Sequence, residues 1–327
     1  MNSSDTSHLR PINPLRDIDC LTNLIELEFG HEMERWGGNF RAQMRMAKVM
    51  APWFKFLGFF SNNYRHTFDG YIWDEGGICI AAVILQPVLY DFTRWQIMNV
   101  VTHPDYRRRG IARLLVSKAI EHAQLNGAQT CYLEVQETAE PAIRLYEQLG
   151  FRIYDHLTIL KRTGNDSIIG QRVDDYRISQ MSMGDWMKRF ELAKHIIPDE
   201  IQDFFPISRG EYQFSIWQQV FDPVIMRLQG IESSWWGVEH GSSLVGFANL
   251  VSCKSPLMSN RIEIEILPEH RGSVVDNLLD MLLGRLQNHP QQVTMTTINT
   301  NAHNIMQAYV DRKFEIMEVF LRMGLRI

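Results

Sequence analysis

Apolar positions recur every third or fourth residue in some stretches and every second residue in others, and the switching between the two periods predicts the elements. In the first half, apolar residues at 18, 21, 24, 25 and 28–29 predict a helix over Ile18–Phe29 that breaks at Gly30. Phe40–Phe60 reads as a second helical stretch, interrupted at Pro52. A first strand is expected near His8–Ile12. Tyr71–Asp74 and Ile78–Gln86 predict strands joined by a hairpin at Glu75-Gly76-Gly77, followed by a strand over Trp95–Val101. Gly110–Asn126 reads as a helix with Ile111, Leu114, Leu115, Ala119, Ile120 and Ala123 on one face, ending before Gly127. A strand at Thr130–Val135, a helix at Glu140–Leu149 and a strand at Phe151–Lys161 complete the series.

The second half repeats that order. Tyr176–Met181 predicts a strand and Gly184–Ile196 a helix. Trp235–Glu239 and Leu244–Ser252 form a hairpin around His240-Gly241-Ser242. Arg261–Leu267 (strand), Val274–Gln287 (helix), Val293–Ile298 (strand), Ala302–Arg312 (helix) and Phe314–Ile327 (strand) follow. Landmarks align at a nearly constant offset: Pro104 with Pro268 and Leu114-Leu115 with Leu278-Leu279 are 164 apart, and Tyr146 and Phe151 lie 163 before Tyr309 and Phe314. The pattern implies a tandem duplication of one α+β unit. Gly, Asn, Asp and Ser cluster between the halves, so the expected division is 1–163, a linker at 164–175, and 176–327.

Composition narrows the function. The 327 residues are 45% hydrophobic and 22% charged, which suits a globular chain. The net charge of −5 is unevenly placed: residues 1–163 carry 18 Lys and Arg against 18 Asp and Glu, and residues 164–327 carry 15 against 20. Neither half has the basic excess of a nucleic-acid binder. No apolar run is long enough for a membrane span, and Met1–Arg10 lacks the apolar core of a signal peptide. Cys20, Cys79, Cys131 and Cys253 are isolated, which fits unpaired thiols in a reducing cytoplasm; no metal is expected.

The segment that carries chemistry is Asn99–Ala112, NVVTHPDYRRRGIA. An apolar strand leads through His103-Pro104 and three arginines to Gly110, where a helix begins at once. The first turn of a helix exposes unpaired N–H groups and the positive end of its dipole. Gly110 permits close backbone approach, Ala112 keeps the next face small, and Arg107–Arg109 add positive charge. Together they suit a pyrophosphate. The spacing matches neither a Walker loop nor a dinucleotide-binding glycine fingerprint.

Arg107-x-x-Gly110-x-Ala112 resembles the Arg/Gln-x-x-Gly-x-Gly/Ala acyl-CoA signature of the GNAT acetyltransferase superfamily. Leu133-Glu134-Val135 and the stretch Ala142–Phe151 resemble that superfamily's later landmarks, so the resemblance covers about residues 8–161 and fades over 176–327. It implies two tandem domains of α+β class, each with a mixed, mostly antiparallel sheet, a splayed parallel strand pair and flanking helices. It implies acetyl-CoA as donor co-substrate without a metal. The pantetheine arm would bond the backbone of Asn99, Val100 and Val101, and the pyrophosphate would sit on the amides of Arg108, Arg109, Gly110, Ile111, Ala112 and Arg113 behind Arg107. Tyr146 would protonate the departing CoA thiolate, while a primary amine attacks the thioester directly. In members that acetylate protein N-termini, such as those of ribosomal proteins, a glutamate placed like Glu134 looks like the general base. His103 is the alternative base, though His-Pro after a strand also reads as turn chemistry. One departure from the family is Ala139, where Asn is frequent, with Thr138 before it as a candidate cap.

At an offset of 164 the second half places Val274 and Asp276 at the positions of Gly110 and Ala112, and it is not expected to bind acyl-CoA. Two roles are open for it, a scaffold or a wall of the acceptor site. Arg41, Arg45, Lys48 and Lys55 fall on one face of the second helix and Met44, Ala47, Met50, Ala51, Phe54 and Leu57 on another. That pattern suits a helix packed on the sheet better than one lying on a membrane, and the resemblance implies that this segment borders the acceptor pocket. The expected protein is a cytoplasmic N-acetyltransferase, monomer or homodimer, without nucleic-acid or membrane partners. A non-catalytic acyl-CoA sensor on the same fold is the alternative.

Overall fold

The first helix shows how the local sequence sets the frame. Asn13 caps it, its Oδ1 accepting from the Leu15 amide at 3.2 Å, and Pro14 occupies the first turn, where a missing N–H costs nothing. In the computed structural model the helix (α1) runs Pro14–Trp36, straight through Gly30. The expected break at Gly30 is absent, because an interior glycine costs only about 1 kcal/mol and Leu21, Leu24 and Ile25 are buried against Ile72, Ala82 and Val101. Helix α2, Phe40–Leu57, likewise continues across Pro52. The structure describes residues 8–36, 40–57, 65–88, 91–164, 175–213, 227, 230–254, 258–287, 293–299 and 302–327. The expected helix end at 58–60 and most of the 164–175 linker lie outside them.

Two compact units form, one of residues 1–153 with 322–327, the other of residues 154–321. The division therefore falls at a strand on both occasions and not in the linker. The strand expected to close each half is shared out, Tyr154–Thr163 counting with the second unit and Arg322–Ile327 with the first.

In the first unit, strands β1 (Leu9–Pro11), β2 (Gly70–Glu75), β3 (Ile78–Val88) and β4 (Asp91–Thr102) pair antiparallel in that order. β4 then pairs in parallel with β5 (Thr130–Gln136) through only three registered pairs, Arg94↔Thr130, Trp95↔Cys131 and Gln96↔Tyr132. Helix α3 (Ile111–Leu125) lies between them in sequence, burying Ile111, Leu115, Val116, Ala119 and Ala123. Helix α4 (Glu140–Gln148) follows β5. In the second unit, β6 (Arg152–Thr163) pairs with β11 (Val293–Asn299). Beyond β11 come β10 (Asn260–Ile266), β9 (Ser243–Cys253), β8 (Ile231–His240) and β7 (Tyr176–Met181). Helices α5 (Trp186–Ile196), α6 (Asp199–Gln202), α7 (Arg209–Tyr212), α8 (Ser273–Arg285) and α9 (His303–Asp311) complete this unit, and β12 (Glu315–Arg326) ends the chain. The α+β class and the doubled order of elements match the reading of the sequence.

A buried ion cluster ties β1, α1 and the β2–β3 turn together. Arg10 donates to both oxygens of Asp17, at 2.7 and 3.0 Å, and to Asp74 at 2.9 Å. The Asp17 side chain is only 2% exposed. Burial alone would raise its pKa, but hydrogen bonds from Arg10, the Asn13 amide and Arg16 outweigh that and hold it at about 2. A depressed carboxyl adds stability above its unfolded pKa of about 3.9 and loses it as pH falls through its folded value. Asp17→Asn should therefore cost about 2–3 kcal/mol at pH 7. Urea melts at pH 7 and near pH 2 should show that difference shrinking with acidity; equal stability of the two proteins at pH 7 would refute the linkage.

Candidate functional site

The parallel pairing of β4 and β5 stops at Gln96 and Tyr132, so the C-terminal parts of the two strands are not registered to each other. Just beyond that point β4 carries a bulge. Ala82 faces Val101 and Ile84 faces Met98, which leaves Asn99 and Val100 opposite Val83. Asn99 accommodates the extra residue with φ of +50°. A bulge frees backbone groups from the ladder, and here it lies beside the gap between the two strands.

The β4–α3 connection is built as a nest. His103 caps a short turn at Pro104–Tyr106, its Nδ1 accepting from the Asp105 amide at 3.4 Å, so it serves the turn. Arg107 Nε donates to the Thr102 carbonyl at 3.2 Å, bracing the loop to the end of β4. Arg108 (φ +63°) and Gly110 (φ +76°) are both left-handed. The Leu114 amide is the first of the helix to find an acceptor, the Gly110 carbonyl at 3.2 Å. Among the described residues, the six preceding amides, Arg108 to Arg113, donate to no protein acceptor. A Cβ placed on Gly110 would point into open space and carry the strain of the positive φ. Successive unpaired amides at a helix start, with alternating backbone handedness, are what a diphosphate needs. Only three non-glycine residues among those described have positive φ, and Asn99 and Arg108 are two of them. Such strain concentrates where a ligand is held.

The arginine side chains divide between bracing and exposure. Arg107 pairs with Glu28. Arg109 is bidentate to Glu75, at 2.8 and 3.2 Å, and lies over the Tyr106 ring at 5.4 Å. Arg113 reaches Gln148 at 3.3 Å. Arg108 has no side-chain partner among the described residues and is exposed.

Tyr146 sits on α4, 6% exposed, edge-on to Phe151 with centroids 6.0 Å apart. Burial pushes its phenol up to about 12, so the hydroxyl stays protonated at neutral pH. That hydroxyl has no hydrogen-bond partner among the described residues. Ala139 is the N-cap of α4 and supplies no side-chain cap; Thr138, considered for that part, does not cap the helix either. Glu134 on β5 accepts from Arg322 Nε at 3.0 Å, with about a third of its side chain exposed (32%). Arg322 was not foreseen, because it lies 188 residues along the chain from its partner.

The same positions in the second unit have been filled. β10 runs in step with β9 from Arg261↔Val251 to Ile266↔Gly246, with no bulge. Arg271 repeats the brace of Arg107, its Nε donating to the Ile266 carbonyl at 2.9 Å. Helix α8, however, is capped at Gly272. It therefore starts two residues earlier than the 164 offset predicts, and Val274 is a buried helix residue and not the occupant of a loop. Asp276 is spoken for by Arg312, at 2.6 Å, which also holds Asp280. Tyr309 is fully buried, and its hydroxyl donates to the Ile262 carbonyl at 3.3 Å. Ile262 directly follows the last parallel pair of β10 and β11, Arg261↔Met295, so this hydroxyl is tied to β10 where the parallel pairing ends.

On α2 the expected inner face holds, with Ala51 buried and Met44, Ala47, Met50 and Phe54 half-buried. Arg41 and Lys48 pair with Glu26 and Asp19 of α1. A second apolar stripe, Met46, Val49, Trp53 and Phe56, is exposed and was missed; its spacing of three, four and three residues was the available signal. No helix among the described residues is long and apolar enough to cross a membrane.

Comparison with known proteins agrees with this geometry. Residues 33–151 match the Acetyltransferase (GNAT) family. The ribosomal protein bS18 alanine N-acetyltransferase of Escherichia coli is 34% identical over 92 residues, 28% of this chain and 60% of its own length. Mycothiol acetyltransferase of Thermobispora bispora is 28% identical over 143 residues, 44% of this chain and 45% of its own length. The chain thus spans less than two thirds of the length of either relative. Among solved structures, a GCN5-related N-acetyltransferase from Sphaerobacter thermophilus superposes with a TM-score of 0.67 at 14% identity, covering 97% of this chain and 95% of that one. A tandem GNAT protein from the clavulanic acid biosynthesis pathway gives 0.58 at 15% identity, covering 97% and 98%. The whole chain therefore has the fold of tandem GNAT proteins, and its residues 33–151 are similar to the Acetyltransferase (GNAT) family.

Proposed function

We propose that the protein is an N-acetyltransferase that moves an acetyl group from acetyl-CoA to a primary amine at one site, in the first unit. The observation that carries this is the run of six amides from Arg108 to Arg113 without a protein acceptor, set around a left-handed glycine. That cradle suits the CoA diphosphate, and Arg108 has the free charge to reach it. The bulge at Asn99–Val100 offers backbone groups to the pantetheine amides beside the gap between β4 and β5.

The chemistry follows from the groups at hand. The amine nitrogen attacks the thioester carbonyl carbon, the carbon–sulfur bond breaks, and CoA leaves as its thiolate. Tyr146, protonated at neutral pH, gives its proton to that sulfur and is reprotonated from solvent. Glu134, oriented by Arg322, takes the proton the amine must lose, through a bridging water. The second unit takes no part in donor binding in this reading: its helix start is wound into α8 and its Tyr309 hydroxyl is bonded to the Ile262 carbonyl.

Titration calorimetry of the full chain with acetyl-CoA should give one equivalent bound, and two would sink the assignment of a single site. A panel of primary amines, peptide N-termini and amino sugars included, should release CoA thiol with at least one member. Tight acetyl-CoA binding without thiol release from any amine would instead make the protein an acyl-CoA sensor.

A further inference from the structure

At the other end of α3 from the nest, three side chains from two segments converge, His66 and Asp69 from the turn before β2 and His122 from α3. His66 Nδ1 lies 2.7 Å and His122 Nε2 lies 2.9 Å from the same oxygen, Oδ2 of Asp69. The donor atoms of all three fall within 4.8 Å of one another. His122 is twelve residues from Gly110 along the helix, ~18 Å at 1.5 Å per residue, so this cluster is distinct from the acyl-CoA site. We propose that His66, Asp69 and His122 bind a single divalent transition-metal ion of the zinc class.

Asp69 stands between the two imidazoles, with 21% of its side chain exposed. Among the described residues no Lys or Arg pairs with it. A divalent ion held by the carboxylate and the two imidazoles would supply the cationic partner. Two imidazole nitrogens and one carboxylate oxygen are the ligands zinc takes where it keeps an open fourth position.

The surroundings also suit a metal. The second nitrogen of His122, Nδ1, is 3.0 Å from the Tyr71 hydroxyl, which holds the ring as outer partners of metal-bound histidines do. Trp95 lies edge-on to both imidazoles, at 5.0 and 5.5 Å between centroids, and packs one side of the cluster. Ligand atoms on a tetrahedral ion at bond lengths near 2.05 Å stand ~3.4 Å apart. The contacts of 2.7 and 2.9 Å therefore need to open by about half an ångström each, within the reach of small side-chain rotations.

The test uses the full chain, stripped with a chelator and titrated with Zn²⁺ against a chromophoric competitor, with Co²⁺ absorption reporting coordination geometry. The expected result is one equivalent of Zn²⁺ bound with micromolar or tighter affinity, a tetrahedral Co²⁺ spectrum, and a melting temperature several degrees higher with the metal. Asp69→Asn and His122→Gln, each checked for folding by circular dichroism, should weaken binding at least a hundredfold and lose the thermal shift. If either variant fails to fold, His66→Ala takes its place. Absence of stoichiometric binding in the folded wild-type chain overturns the proposal. So does binding that survives these substitutions, since it would put the ion on others of the 11 histidines.

Discussion

Gly110→Asp is expected to weaken acetyl-CoA binding a hundredfold or more while leaving the protein folded. Two effects act on binding at this position, while the backbone strain of a side chain at φ of +76°, about 1 kcal/mol, lowers stability in the free and bound protein alike. The new Cβ projects into the open space of the cradle, which the ligand would otherwise occupy. The carboxylate stands against a doubly charged diphosphate, and at 4 Å each charge pair costs about 1 kcal/mol in water and about 4 kcal/mol near a protein surface. A total near 3–4 kcal/mol corresponds to a loss of about two to three orders of magnitude in affinity. Gly110→Ala separates the contributions, because it keeps the strain and the Cβ but adds no charge; a loss of about tenfold is expected from it, through the Cβ in the cradle. The melting temperature of either variant should fall by only about 2–4 °C, since strain alone acts on the free protein. Gly272→Asp, at the cap of α8, is the matched control and should leave donor binding unchanged. Calorimetry with acetyl-CoA reads all three, and a Gly110→Asp protein that binds like the wild type would remove the nest from the mechanism.

How much of this was open to a reader of the sequence depends on how far apart the determining residues lie. The nest was legible because its parts are contiguous: strand, three arginines, Gly110 and an immediate helix imply exposed amides by local geometry alone. The duplication was legible for the same reason, since Pro104 and Pro268, or Tyr146 and Tyr309, repeat within their own short contexts. Gly30 and Pro52 were misleading because local propensity yields to packing, and burial of Leu24, Ile25 and Ala51 keeps both helices continuous. The 164 offset failed at the start of α8, where the helix has grown by two residues, and a fixed offset cannot register a change in loop length. Arg322 beside Glu134, and the meeting of His66, Asp69 and His122, are products of tertiary folding. No spacing rule links residues 188 or 53 positions apart. The division of the chain into units belongs with these, because the pairing of a terminal strand is decided by the sheet that receives it.

Tyr146→Phe should lower kcat about a hundredfold and leave acetyl-CoA affinity nearly unchanged. Phenylalanine keeps the ring, its burial and its edge-on contact with Phe151, so only the proton donor is lost. A positioned general acid contributes about 10²–10⁴ in rate, and the fall should appear in kcat because the donor acts on the departing sulfur and not on the bound thioester. Burial places the phenol near 12, so Tyr146 contributes no falling limb to the pH–rate profile in the neutral to mildly alkaline range. The folding linkage gives a second readout of the same hydroxyl. In the unfolded chain a tyrosine ionises near pH 10, whereas in the folded protein this one keeps its proton to about 12. Its contribution is therefore fully present below pH 10 and is lost as pH rises toward 12, by about 2–3 kcal/mol. The phenylalanine variant should lack that loss, and alkaline melts of the two proteins measure it directly. Tyr309→Phe makes the decisive contrast. It removes the same kind of buried hydroxyl, bonded to Ile262 in the second unit, and should alter stability without touching kcat. If Tyr146→Phe keeps kcat within threefold of the wild type while showing the altered alkaline melt, Tyr146 is a packing residue like Tyr309, and the thiolate takes its proton from elsewhere.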